Sequence, residues 1–343
     1  MEDLFDGSRK DSLRLQMLGW GDKLSAVFIA AIELGLFTKV SEGAHTIPEI
    51  AQALDITPLT AKRLTDTCTA MDLLRREGDT FTNAPDVERY LIEGRRNYQG
   101  SWFLWWRKNE KELADWNNLA DHLRSKETPK VIGDMYASHT VEDARNFHEG
   151  MFAVGMGAAH LFHRTVDVSQ RNLILDLGGG SGHYCIVAAQ KYPHIKGIVF
   201  DLPPVVEVTR EYVAQCGQSD RVSAQPGDFT KDPFPQGADV VFLNGNGTVY
   251  GPETLQTIIN KAYEAMADDG EMHIIFEMMD EDLTGPVNAA LFGLAEAMTG
   301  SQGQPHSVAE IKSYMERAGF VDVGIHNFID KYIRRVAGYK RPG

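Results

Sequence analysis

The chain has 343 residues, 43% of them hydrophobic, enough apolar material for a large core or two and too much for a disordered chain. Its formal net charge is −14, so nucleic acid and anionic membranes repel it, and a small molecule is the expected partner. Three scattered cysteines, Cys68, Cys185 and Cys216, form no CxxC pair, which excludes a disulfide framework or zinc site and fits a reducing cytoplasm.

The N-terminal MEDLFDGSRKDS is charged and lacks an apolar signal core. The longest apolar stretch, 26–37, is broken by Glu33 and Gly35 and is too short to span a bilayer. Residues 1–105 read as a helical unit, starting with SAVFIAAIELGL at helical spacing. Thr46 with Glu49 three residues on predicts a capping box, and Thr57-Pro58 opens the next helix. LLRREGDTFTNAP then predicts a hairpin turning at Gly78-Asp79. Three helices and a hairpin outline a winged helix. Its third helix carries Lys62 and Arg63 but also Asp66 and Asp72, so it lacks the basic footprint of a DNA reader. Packing and dimerisation are the expected roles. Residues 106–165 form a helical linker or pocket segment.

From 166 to 343 the texture alternates. NLILDLG, GIVFDLP, ADVVFLNG and EMHIIFE are buried-strand runs separated by amphipathic helices, which predicts an α/β, Rossmann-like doubly wound domain. Leu173–Leu177 feeds a glycine turn. A dinucleotide loop, G-x-G-x-x-G, would need glycine at His183 or Cys185. The sequence instead holds D-x-G-x-G-x-G on Asp176, Gly178, Gly180 and Gly182, a match to the first motif of class I methyltransferases that bind S-adenosylmethionine (SAM). Asp201 ends the next strand 25 residues later, placed to accept from ribose hydroxyls. Gly227-Asp228-Phe229 follows the strand after, with Asp228 for the adenine amino group and Phe229 for the ring face. Each acid alone also reads as a helix N-cap. Together they make SAM the expected cofactor. Its expected contacts are Asp176, Gly178, Gly180, Gly182, Asp201, Leu202, Gly227, Asp228, Phe229 and Asn244, with no metal.

LDLGGGSGHY, FDLP, GDF, Phe147 to Met151 and the late Ala318-Gly319-Phe320 resemble the small-molecule methyltransferases with a winged-helix dimerisation domain, the plant and bacterial O-methyltransferases. The resemblance covers nearly the whole chain and implies an intertwined homodimer. The family's usual base is a histidine in L-K-x-x-L-H-D-W; here the segment reads LNGNGTVY, with Thr248 in the histidine's place. Of the two glutamates that flank it in the family, Glu277 remains, and the other, which would fall near Pro305 in GQPHSVAE, is absent. A hydroxyl acceptor must lose a proton, for which a positioned base is worth roughly 10²–10⁴-fold. A thioether sulfur has none to lose, so alignment and a dry site suffice. Within the family, the chain is similar to bacterial enzymes that S-methylate 4-methylthio-2-hydroxybutyrate in dimethylsulfoniopropionate synthesis.

Trp102, Phe103, Trp105 and Trp106 cluster in SWFLWWRK, and aromatic faces attract sulfonium charge by about 0.5–2 kcal/mol each. The expected substrate set is Trp105, Trp106, Tyr136, His148, Met151, Phe152, Tyr250, Glu277, Met298 and His306, with Arg107, His148 or His306 for the acceptor's carboxylate. Two alternatives stay open. One is O- or C-methylation of an aromatic or tetrapyrrole substrate, with His148, His160 or His306 as base. The other is a SAM-binding protein that transfers no methyl, a pericyclic catalyst or a regulator.

Overall fold

The structure, a computed structural model, describes residue 7 and residues 11–113, 116–127, 139–330 and 332–341, without the side chains of 110–113. Tyr136 therefore lies outside the described residues. The chain divides into two compact units, Met1–Lys108 and Asn109–Gly343.

The first unit strings together α1 (Leu13–Gly19), α2 (Gly21–Glu33), α3 (Leu36–Ser41), α4 (Ile47–Ala53) and α5 (Pro58–Ala70). The hairpin β1 (Leu74–Glu77) and β2 (Thr80–Asn83) follows, then α6 (Pro85–Tyr90) and the start of α7 (Gly100–Leu113). Local signals set these bounds. Glu49 accepts from the Thr46 N–H at 2.8 Å, and Thr57 Oγ1 accepts from Thr60 N at 3.2 Å. The hairpin turns at Gly78, whose φ of +59° suits a residue without Cβ. Ile32, Leu36, Phe37, Ile50, Leu74 and Phe81 close one apolar core.

The second unit begins with α8 (Leu119–Arg124) and the long α9 (Val141–Thr165), whose Thr140 cap accepts from Asp143 N at 3.2 Å. It then alternates β3 (Leu173–Leu177), α10 (His183–Lys191), β4 (Lys196–Asp201), α11 (Pro203–Gln215), β5 (Val222–Pro226), β6 (Ala238–Asn244), α12 (Pro252–Ala265) and β7 (Met266–Phe276). After α13 (Val287–Thr299) and α14 (Val308–Ala318), β8 (Val321–Ile329) and β9 (Ile333–Tyr339) complete the chain. The sheet order is β5-β4-β3-β6-β7-β9-β8. The β5 to β7 strands pair in parallel, whereas β9 is antiparallel to both β7 and β8. The antiparallel edge was not legible as strand. β8 is only partly buried, and VDVGIHNFI lacks the continuous apolar run that marks the inner strands.

Helices cover both faces and leave two cores, one under α12 and α14 and one under α9 and α10. α9 is fastened to α11 by the Arg145–Glu211 ion pair, at 2.7 and 3.2 Å, and by Phe152 stacked on Tyr212 at 4.3 Å. No helix among the described residues is long and apolar enough to cross a membrane.

Candidate active site

In an open α/β sheet, ligands bind beyond the carboxyl ends of the strands, beside the point where strand order reverses. Here that point lies between β3 and β6, and the chain leaving β3 is the glycine loop. Gly178, Gly180 and Gly182 all take left-handed φ, at +64°, +56° and +75°. Space adds a second constraint at the first two. A Cβ on Gly178 would lie 2.5 Å from Asn246 Nδ2 and 2.9 Å from the Phe229 ring. One on Gly180 would lie 2.4 Å from His148 Cε1. Gly180→Ala is thus expected to cost SAM affinity at least about tenfold in calorimetry, because backbone strain and a ring clash act together.

Two polar side chains at these strand ends have no protein partner. Both carboxyl oxygens of Asp176 are buried without a hydrogen bond, and so are both amide atoms of Asn244. Asp176 is fully buried, which, with the charge of Asp201 nearby, pushes its carboxyl up to about 8. Such orphaned groups are expensive in a finished core and fit a site that awaits a polar, cationic ligand. SAM carries both an ammonium and a sulfonium, which suits an orphaned carboxyl and amide at the strand ends.

Asp201 has work within the protein as well. Its Oδ2 accepts from Gly180 N at 2.9 Å and its Oδ1 from Leu202 N at 2.8 Å. Burial raises its carboxyl to about 6 against the pull of those two donors. Gly227 packs against the Phe200 ring and donates its N–H to the Asp201 carbonyl at 2.9 Å. Asp228 is engaged locally. Its Oδ1 accepts from Thr230 N at 2.9 Å, and Lys231 Nζ lies 3.2 Å from Oδ2. Burial works upward on its carboxyl, but the Thr230 and Lys231 contacts outweigh it and hold it below the usual range.

The acceptor-side residues divide. His148 lies half-buried on α9 against Gly180 of the loop. Next to it the structure brings His183, whose ring packs on Gly155 and whose Nδ1 is 3.2 Å from Ser181 Oγ. Burial drops His148 to about 4, and burial with the nearby His148 drops His183 to about 3. Met151 and Met298 are half-buried on α9 and α13. Glu277 follows β7 and its carboxyl is raised by burial. Trp105 and Trp106 gather with Trp102 on α7, centroids 5.3–5.7 Å apart, within the first unit. Arg107 is exposed on the same helix, and His160 is half-buried on α9.

Three further residues of the expected substrate set also have partners within the protein. Phe152 is half-buried, stacks on Tyr212 and packs against the core under α9. Tyr250 is buried in the other core, edge-on to Phe229 at 5.4 Å. His306 is fully buried and donates from Nε2 to the Tyr250 carbonyl at 2.8 Å. That bond fixes the proton on Nε2, and burial lowers its basicity. The remaining Nδ1 has no proton with which to hold a carboxylate. Thr248, in a 3-10 turn at Gly247–Val249, is 4% exposed. Asn246 and His183 were not among the expected contacts: Asn246 belongs to no motif with fixed spacing, and His183 stands in LDLGGGSGHY only as the residue after its last glycine. The Gly-Asn-Gly run around Asn246 is the signal that was there.

Residues 116–321 match the O-methyltransferase domain and residues 21–92 the O-methyltransferase dimerisation domain. A 3-hydroxy-5-methyl-1-naphthoate 3-O-methyltransferase of Streptomyces sahachiroi is 30% identical over 86% of this chain and 85% of its own. The N,N-dimethyltransferase OxyT of Streptomyces rimosus is 28% identical over 85% of each chain. Among solved structures, human N-acetylserotonin methyltransferase in complex with SAM superposes with a TM-score of 0.79 at 23% identity, covering 98% of this chain and 99% of that one. The chain belongs to the O-methyltransferase domain family and is a SAM-dependent methyltransferase with an N-terminal dimerisation domain.

Proposed function

We propose that this methyltransferase works as a homodimer and methylates the sulfur of a small thioether acid, 4-methylthio-2-hydroxybutyrate of dimethylsulfoniopropionate synthesis, with no general base. The observation that carries the reading is Thr248, a buried residue without basic chemistry at the position of the family's histidine. Bound SAM supplies a methyl carbon already activated by a positively charged sulfur. Asp176, Asp201, Asn244 and the glycine loop are the residues that would hold it. The rest of the site has to align the acceptor and exclude water.

The surrounding imidazoles support the same reading. His148 and His183 sit at about 4 and about 3, so both are neutral and weakly basic at working pH. A catalytic base is most effective with a pKa near the operating pH. The relatives named above act on oxygen and on nitrogen, so the acceptor atom varies within this fold. A second reading, O-methylation of an aromatic hydroxyl, is favoured by the naphthoate enzyme's activity.

Incubation with SAM and a panel of thioethers, phenols and amines separates them. We expect turnover of methylthiohydroxybutyrate, with kcat constant on the acid side of neutrality down to about pH 5.5. Turnover of a phenol with none on any thioether would sink the proposal. A kcat at saturating SAM that falls below neutral pH with a single ionisation would restore a base.

A further inference from the structure

The turn that replaces the histidine segment is built from Gly245, Asn246 and Gly247, a mobile sequence by composition. Nearly every residue in it is tied down. Gly245 N donates to Ile275 O at 2.8 Å, and Gly247 packs on the Phe276 ring. Gly303 fits against the Thr248 and Val249 backbone, and the Tyr250 carbonyl accepts from His306. These ties fix the turn to β7 and to the 300–307 loop. Asn246 ties it to the glycine loop: Nδ2 donates to Gly178 O at 3.1 Å. The same nitrogen occupies the space a Cβ on Gly178 would need.

We propose that Asn246 is a positioning residue, locking the acceptor-side turn onto the first glycine of the SAM loop so that acceptor and methyl carbon stay in line. In this role Asn246 acts through Gly178 and the loop, not on the reacting atoms. The proposal draws its expected size, though not its sign, from the base-free reading. Where no base contributes, alignment carries most of the rate, and a displacement of ~1 Å can cost about 100-fold. The carbonyl of Gly178 can only accept, so the amide's donor is the part that matters.

The test uses the full-length protein and two variants. Asn246→Ala removes the side chain; Asn246→Asp keeps its shape and removes the donor. Both are expected to lower kcat roughly 10- to 100-fold, with KM for the acceptor and calorimetric SAM affinity within about threefold of wild type. A wild-type kcat in Asn246→Asp would overturn the proposal, because shape alone would then suffice. A loss confined to SAM affinity would also overturn it, making Asn246 a cofactor contact. If wild type methylates a phenol or amine and no thioether, the base-free reading fails, and the same kcat-against-KM comparison with that acceptor still decides the role of Asn246.

Discussion

Asp201→Ala is expected to weaken SAM binding by about 100-fold or more, equivalent to about 3 kcal/mol. Two losses add. The first is direct: a carboxylate at the end of β4 is placed to accept from a vicinal diol, and hydrogen bonds to charged groups are worth about 1.5–3 kcal/mol each. The second is internal. Asp201 holds the Gly180 N–H at 2.9 Å and the Leu202 N–H at 2.8 Å, so alanine frees the middle of the glycine loop and the start of α11 together. Gly180 then loses the bond that helps keep it at φ +56°. Asp201→Asn separates the two losses. It keeps one oxygen for a backbone donor and gives up charge, so an intermediate loss of about tenfold is expected. Titration calorimetry with SAM measures both variants. Unchanged affinity in Asp201→Ala would mean that the cofactor lies elsewhere on the sheet.

The cofactor side of this site was legible because its chemistry is written in short, local spacing. Buried parallel strands are continuous apolar runs, and the D-x-G-x-G-x-G loop needs its glycines both for φ and for the Asn246, Phe229 and His148 atoms crowding it. The acceptor side was not, because it is assembled from distant segments. Nothing near His306 in sequence says that it caps the Tyr250 carbonyl, 56 residues away. Phe152 looked available until α11 brought Tyr212 against it. The β8–β9 edge escaped for a related reason: an edge hairpin with mixed polar residues has no strong period of its own, and its pairing comes from β7. Asn246 is the plainest case. Its side chain bonds to Gly178, 68 residues away, and no propensity scale registers that.

Asp176→Asn is expected to do two opposed things: stabilise the cofactor-free protein at alkaline pH and abolish most of its response to SAM. The Asp176 carboxyl is fully buried with no hydrogen-bond partner, and it titrates at about 8 in the fold against 3.8 when unfolded. The charged group facing it is Asp201 on β4, which opposes a second negative charge there; the neighbouring Tyr184 and Cys185 on α10 are pushed up by burial and by Asp176 and stay neutral across this range. Because the folded value is the higher one, the folded state holds a proton that the unfolded chain has already released. The stabilisation is fully present below about pH 4, falls as pH rises through the window up to about 8, and is flat beyond it. Asparagine has no charge to bury and escapes that fall. The variant's advantage in Tm should therefore be larger at pH 8 than at pH 5, by up to about 4 kcal/mol of stability or on the order of 10 °C. With SAM present the order reverses. An ammonium placed near the orphaned carboxyl favours its ionised form, so wild type gains stability on binding and releases a proton, and the variant gains little. Differential scanning fluorimetry at both pH values, with and without SAM, reads all four corners. Equal SAM-induced shifts in wild type and variant would remove Asp176 from the cofactor site and leave its empty hydrogen-bonding shell without a purpose.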